Sequence, residues 1–255
     1  GIFMKKYLFV SLIAISTLLS SCSAINNYLA ESEERDAKKI SYYAPVVLER
    51  PHEETGKTAL IQTFKNGKQN GPFELHYPDG TLSIKGNYKD DRKDGVWYFY
   101  RENGKLDNKV TFRNDQANGK YETYFENGRT LYSEGIYING KKNGIEKEYY
   151  MSGKVQSTVN YKNDLMTGEF IMYYPSGKLY MKQNFENGKS NGPINYYYEN
   201  GKPLLKGYMK DSNPFGEWEY YNRNGKLVIK GEFFKILDSF QAVFNENLNK
   251  TLKNN

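Results

Sequence analysis

Few residues in this sequence could carry out chemistry. His52 and His76 are the two histidines and Cys22 is the one cysteine, so a histidine- or cysteine-based metal site is not expected. The chain has neither a phosphate-binding glycine loop followed by Lys-Ser/Thr nor the motifs of a kinase. Several acidic residues occupy different positions in different repeat units, as solvent-facing residues do: Glu74, Glu122, Glu148 and Glu169. A catalytic carboxylate pair formed only in the folded structure is the alternative that the sequence leaves open. We expect no enzymatic activity, no cofactor and no metal.

Cys22 is the exception, because its surroundings predict a covalent modification. Lys5 and Lys6 precede an apolar run from Leu8 to Leu19, which is too short to span a bilayer and is typical of a signal peptide. The run ends in Leu-Ser-Ser-Cys, which resembles a lipobox, and we expect residues 1–21 to be removed and Cys22 to receive a lipid. The alternative is an ordinary secretory signal with an incidental cysteine. We therefore expect the protein to be located in the cell envelope. Because Ser23, and not an acidic residue, follows the cysteine, we expect it at the outer membrane.

Most of the chain consists of a repeated sequence unit of about 24 residues. A glycine opens each unit, and the spacings between successive units are 24, 24, 25, 24, 24 and 24 residues: Gly71, Gly95, Gly119, Gly144, Gly168, Gly192 and Gly216. A second glycine follows nine residues later in each unit, and the extra residue falls at Arg129-Thr130. Such a period indicates an array of identical structural units.

Each unit is predicted to be one β-hairpin. Its first half is rich in aromatic residues, with Glu146 as the one polar residue in the column two positions after the glycine. Its second half alternates between apolar and polar residues, as in Leu82-Ser83-Ile84. Asn-Gly pairs between units suit tight β-turns. The recurrent glycines of the second half would let an aromatic ring from the next strand lie over the backbone: Gly86, Gly135, Gly207 and Gly231.

The segment GEWEYYNRNGKLVIKGEF, which begins at Gly216, resembles the bacterial variant of the MORN repeat, and the resemblance covers residues 64–235. It implies a mainly β fold: an elongated array of seven antiparallel hairpins, with no catalytic residues. Bacterial chains of this kind are often grouped with the YwqK-type antitoxins, and MORN repeats are interaction modules whose lipid binding is disputed.

The two ends of the chain differ from the array. We expect residues 22–58 to be a spacer with one or two ordered pieces, and residues 59–235 to be the array. Apolar residues recur at helical spacing after Ile236, which predicts a C-terminal capping helix over 236–255. A helix that contacts a partner or a membrane is the alternative. The net charge is +6, and it falls to +4 when Lys5 and Lys6 are removed with the leader. The charges are interspersed, so we expect no nucleic acid partner.

The predicted interaction face is a column of tyrosines five residues after the opening glycines: Tyr100, Tyr124, Tyr149, Tyr173, Tyr197 and Tyr221. This column has the opposite parity to the aromatic residues two positions after each glycine, so one set packs the array and the other is partly exposed. The first hypothesis is a lipid-anchored envelope protein that binds an unidentified envelope or host protein through this face. The alternative functions are an antitoxin and a lipid or glycan binder. The alternative fates of the tyrosine column are pairing with a second copy of the chain and burial of both aromatic sets by curvature of the sheet.

Overall fold

The computed structural model describes residues 31–42 and 44–252. Helix α1 (Glu31–Ile40) comes first, seventeen strands follow, and helix α2 (Phe233–Leu252) closes the described chain. The strands are β1 (Val46–Pro51), β2 (Thr58–Lys65), β3 (Lys68–His76), β4 (Leu82–Lys89), β5 (Arg92–Tyr100), β6 (Leu106–Arg113), β7 (Gln116–Tyr124), β8 (Leu131–Ile138), β9 (Lys141–Lys142), β10 (Gly144–Tyr149), β11 (Val155–Lys162), β12 (Leu165–Tyr173), β13 (Leu179–Glu186), β14 (Lys189–Tyr197), β15 (Pro203–Lys210), β16 (Asn213–Tyr221) and β17 (Leu227–Glu232).

The strands form one open antiparallel sheet of seventeen strands. Each strand pairs with the next along the chain, except that β8 pairs with both the short β9 and β10. This is the predicted meander of hairpins with a C-terminal helix, and the fold prediction is confirmed. The stretch expected to be a spacer contains α1 and β1, and β1 adds a strand to the sheet by pairing with β2.

The turns between units carry the backbone conformation that Asn-Gly pairs favour. Asn66 and Gly67 both have positive φ, at 54° and 72°. Asp90 and Asp91 adopt the same conformation without a glycine, at 50° and 65°. Two consecutive positive φ values are what a type I′ hairpin turn requires, and its twist matches that of the flanking strands.

A β-bulge at the start of each second strand changes which side chains share a face. In the first unit Leu75 pairs with Ile84 and His76 pairs with Leu82, so Ser83 is the extra residue. Cross-strand partners lie on the same face and neighbours along a strand lie on opposite faces. Leu82 therefore lies on the face opposite Ile84, whereas simple alternation would place both together.

One face, here called the inner face, carries the residues two and four positions after each opening glycine. Trp97 and Trp218 are buried on it, and the position of a β-carbon on Gly86 or Gly207 lies within 2.2 Å of an indole ring. The prediction that these glycines accommodate an aromatic ring is confirmed at both sites. At Gly135 the ring is that of Tyr121 from the preceding strand rather than the next one. At Gly231 the prediction is wrong, because the neighbour is the aliphatic Ile236 of α2.

The buried apolar residues of the inner face form two clusters. The first runs from Leu60 to Tyr137 across β2–β8. The second runs from Met172 to Trp218 and includes Ile236 and Phe240 of α2. The helix begins at Phe233, and its buried side lies on the inner face of the last repeats, with Phe244 against Tyr196 at 4.9 Å between ring centroids. It thus provides a second layer for the C-terminal half of the sheet.

Candidate interaction face

The six predicted tyrosines stand at the ends of β5, β7, β10, β12, β14 and β16, on the outer face of the sheet, and all are half-buried. Because of the β-bulge, each one pairs across the hairpin with an aliphatic residue or proline: Leu106, Leu131, Val155, Leu179, Pro203 and Leu227. Together these twelve residues form a row across the array, here called the tyrosine–aliphatic stripe. The tyrosines were predicted from the sequence but their partners were not, since strict alternation along the second strand would place Leu82 and its equivalents on the same face as Ile84.

Carboxylates on the same face hold three of the tyrosine hydroxyls. The Tyr124 hydroxyl donates to Glu122 at 2.6 Å, and Tyr149 donates to Glu134 at 2.6 Å. Partial burial and the bond to Glu134 raise the pKa of Tyr149 to about 12. The phenols therefore stay protonated at neutral pH, and their orientation is defined before any partner binds.

Lysines complete this network. Lys120 bridges Glu122 and Glu134, at 2.7 Å and 2.8 Å, and the Lys109 ammonium lies 5.5 Å from the centre of the Tyr124 ring. Burial would raise the pKa of Glu122, but the hydrogen bonds from Lys109 and Lys120 outweigh it and lower the pKa to about 2. The charges that flank this part of the stripe are thus paired with each other. The surface that remains for a partner is formed mainly by the tyrosine rings.

A second column, which the sequence analysis missed, fixes the backbone of the stripe. Where it is polar, the residue that follows a stripe tyrosine, or His76 in the first unit, donates to the main-chain carbonyl of the stripe tyrosine in the next unit. Four tyrosine hydroxyls do so at 2.6–2.8 Å: Tyr77 to Tyr100, Tyr150 to Tyr173, Tyr174 to Tyr197, and Tyr198 to Tyr221. Arg101 donates to the Tyr124 carbonyl at 2.9 Å, whereas Phe125 has no polar group to donate. These hydrogen bonds to successive main-chain carbonyls are here called the carbonyl ladder. In the sequence, recurrent Tyr-Tyr pairs indicate it.

The acidic residues singled out in the sequence do not converge on one site. Glu74 pairs with Lys85 at 3.3 Å, and Glu169 lies 3.9 Å from Lys182, both on the outer face. Glu148 differs from the expected solvent-facing position: it lies on the inner face, where burial raises its pKa and Ser157 donates to it at 2.9 Å.

The histidines serve the fold of the first unit. His52 Nε2 donates to the His76 carbonyl at 2.9 Å, and His76 Nδ1 lies 3.1 Å from the Gly80 carbonyl oxygen. Within residues 31–42 and 44–252 no group of three or more His, Cys, Asp or Glu side chains is arranged to bind a metal. In that same part of the chain, neither helix combines the length and apolar character needed to span a membrane. Cys22 lies outside the described residues.

Comparison with known proteins identifies the repeat. The family model of the MORN repeat variant matches residues 69–90, 93–114, 142–163, 166–187, 191–211 and 216–235, which together make up just over half of the chain. The matched segments omit the unit that begins at Gly119, where the extra residue lies. No curated protein sequence matches the chain significantly.

Two solved structures share local similarity only. One is a mutant of S. aureus TarM in complex with fondaparinux, α-GlcNAc-glycerol and UDP, with 14% identity over 53% of this chain and a TM-score of 0.27. The other is a TcdB2–TccC3–Cdc42 complex, with 12% identity over 74% of this chain and a TM-score of 0.21. This chain spans 22% and 14% of the respective matched chains.

Proposed function

Because the chain belongs to the MORN repeat variant family, we propose that it is a non-enzymatic interaction protein whose repeat array binds a protein partner through the tyrosine–aliphatic stripe. In this proposal a lipid on Cys22 anchors the protein in the cell envelope, at the outer membrane, and the array projects from the anchor. The partner is a protein of the envelope or of a host surface.

The observation that carries this proposal is the stripe itself. A row of half-exposed tyrosines alternates with aliphatic side chains on a face that no other described element covers. Tyrosine supplies a large apolar surface with a polar tip, and it is enriched among the residues that dominate interface energetics. Three of its hydroxyls are already oriented by carboxylates, so binding would order few side chains and lose little conformational entropy.

The stripe is tested with two double variants and the wild-type chain as baits for envelope and host-cell extracts. Tyr149→Ser with Tyr173→Ser changes the stripe, whereas Trp97→Ser with Phe170→Ser changes the inner face. We expect the stripe variant to keep its β-sheet circular dichroism and to lose a partner that the wild type captures. The inner-face variant should unfold, since removal of a buried aromatic side chain costs about 3–5 kcal/mol.

Other outcomes separate the alternatives. If the stripe variant unfolds as readily as the inner-face variant, the stripe is part of the core and the proposed surface is wrong. If light scattering shows a wild-type dimer that the stripe variant abolishes, the partner is a second copy of the chain. A toxin encoded next to this gene, with toxicity on its deletion, would favour an antitoxin. Binding of the wild type to liposomes or to a glycan array would favour a lipid or glycan ligand.

A further inference from the structure

Among the residues that the structure describes, the inner face carries one buried pair of opposite charges, at the junction of β8, β9 and β10. Lys142 Nζ is in direct contact with Glu146 Oε2, and the two residues are 9% and 7% exposed. Glu146 occupies the column two positions after the opening glycine, where every other unit has an apolar residue: Phe73, Trp97, Tyr121, Phe170, Ile194 and Trp218.

Aromatic rings and further polar groups enclose this pair. The Tyr121 hydroxyl donates to the same Oε2 of Glu146. Lys142 Nζ lies 5.4 Å from the centre of the Tyr121 ring and 5.1 Å from that of Tyr161. Glu148 lies two residues further along β10 on the same face. The pair is thus held in contact away from bulk water, with a hydroxyl donor on the carboxyl group and a second carboxyl group nearby.

A simple ion pair is a costly solution at this position. Removing each ion from water carries a large free-energy cost, and replacing a buried ion pair by apolar residues is often neutral or stabilising. Burial also opposes charge on both groups: it raises the pKa of Glu146 to about 8 and lowers the pKa of Lys142 to about 8. A neutral amine beside a neutral carboxylic acid is the reactive combination for amide formation.

We propose that Lys142 Nζ and Glu146 Cδ become joined in an intramolecular isopeptide bond. One proton of the ammonium moves to the carboxylate, which leaves a neutral amine and a carboxylic acid. The nitrogen lone pair forms the N–C bond at Cδ, the C–OH bond breaks, and the hydroxyl leaves as water with a second proton from nitrogen. One water is lost, no oxidant or cofactor is needed, and both buried charges disappear.

The neighbouring residues have defined parts in this step. The Tyr121 hydroxyl, which donates to Oε2, withdraws electron density from Cδ and stabilises the negative charge that develops on that oxygen. Glu148 is assigned the transfer of the second proton from nitrogen to the leaving hydroxyl, since it lies two residues after Glu146 on the same face of β10. After reaction the Tyr121 hydroxyl remains the donor to the amide oxygen.

The test is a tryptic digest of the purified, denatured full chain, followed by mass spectrometry. Trypsin cuts after Lys141, Lys142 and Lys147 when their amines are free. With the bond in place, cleavage after Lys142 is blocked, and the digest should contain the peptide 142–147 lighter by one water, without fragment ions from inside the ring. A loss of ammonia in place of water would report succinimide formation at Asn143-Gly144 and would overturn the proposal. Complete cleavage after Lys142 with no dehydrated peptide would overturn the proposal.

The controls lie in the same protein. Lys120 contacts Glu134 at 2.8 Å on the outer face with half of its side chain exposed, and it should show no dehydrated, linked peptide. Glu146→Leu, with its fold checked by circular dichroism, should restore cleavage after Lys142. Glu148→Gln should lower the linked fraction at least severalfold while the fold is kept. Full linkage in that variant would overturn the role given to Glu148.

Discussion

At the scale of single residues, the repeat glycines differ in what they do. Gly177 has φ of +91°, and no neighbouring atom lies within 4 Å of where its β-carbon would be. Gly86, by contrast, has an ordinary φ but lies under the Trp97 ring. Gly177 is thus required by its backbone conformation, whereas Gly86 is required because the Trp97 ring leaves no room for a β-carbon.

Gly177→Val should therefore lower the free energy of unfolding by about 1–2 kcal/mol, the cost of a left-handed conformation for a residue with a β-carbon. Thermal melting followed by circular dichroism measures the effect. Gly177→Asn is the matched control, because asparagine tolerates positive φ, and its melting temperature should stay near that of the wild type. Equal melting temperatures for the valine variant and the wild type would contradict this account of the turn.

Cys22 is the residue on which the proposed anchor depends. Cys22→Ala should abolish metabolic labelling with palmitate and cause the unprocessed chain to accumulate, because only a thiol at this position can accept the lipid. Labelling is measured by immunoprecipitation of the wild type and the variant from cells grown with a palmitate analogue. Ser21→Ala, which keeps the thiol, serves as the control. Undiminished labelling of Cys22→Ala would rule out lipid attachment at this cysteine.

At the scale of elements, each hairpin is tied to the next through more than strand pairing. The carbonyl ladder links the tip of one unit to the last residue of the first strand in the following unit. In the turns between units, Asp91 accepts from the Gln69 backbone N–H at 2.7 Å and Asp115 accepts from that of Lys93 at 2.7 Å. The first two hairpins are therefore each fastened at both ends to the following unit, whereas the unit that contains Phe125 lacks the ladder bond.

Tyr174→Phe should cost about 0.5–1.5 kcal/mol, the usual net contribution of one hydrogen bond, because its hydroxyl donates to the Tyr197 carbonyl at 2.6 Å. Tyr173→Phe is the control. Its ring belongs to the stripe and its hydroxyl makes no hydrogen bond among residues 31–42 and 44–252, so little change is expected. Urea denaturation of the three proteins measures the difference, and equal losses in both variants would argue against the ladder.

At the scale of the whole molecule, the inner face is divided. Polar residues separate the two apolar clusters along one row of cross-strand partners: Asn108, Thr123, Ser133, Glu148 and Ser157. The same region holds the extra residue at Arg129-Thr130, the short β9, and Phe125, where the hydroxyl of the ladder is missing. In a repeat array each unit is stabilised by its neighbours, so the interface with the weakest contacts limits how far cooperativity extends.

Hydrogen exchange should therefore report two cooperative regions. Phe240→Ala removes a buried ring that joins α2 to the second cluster and should speed amide exchange mainly in β12–β17. Trp97→Ala should speed exchange mainly in β2–β8. Mass-spectrometric exchange of the two variants and the wild type makes the comparison. Uniform acceleration along the whole array in both variants would show that the polar row does not divide it.

The sequence by itself determined the repeat, the hairpins and their turns, because these depend on local preferences: positive φ at Asn-Gly, strand propensity of the aromatic residues, and alternation along a strand. It also identified the partly exposed tyrosine column, since side-chain parity within a strand is a local property. The tertiary structure decided where Leu82 and its equivalents lie, because a β-bulge inserts one residue and reverses the parity that alternation assumes. It also decided the contact of Lys142 with Glu146, since pairing of β8 with both β9 and β10 depends on three strands at once, and no pattern within a single strand encodes it.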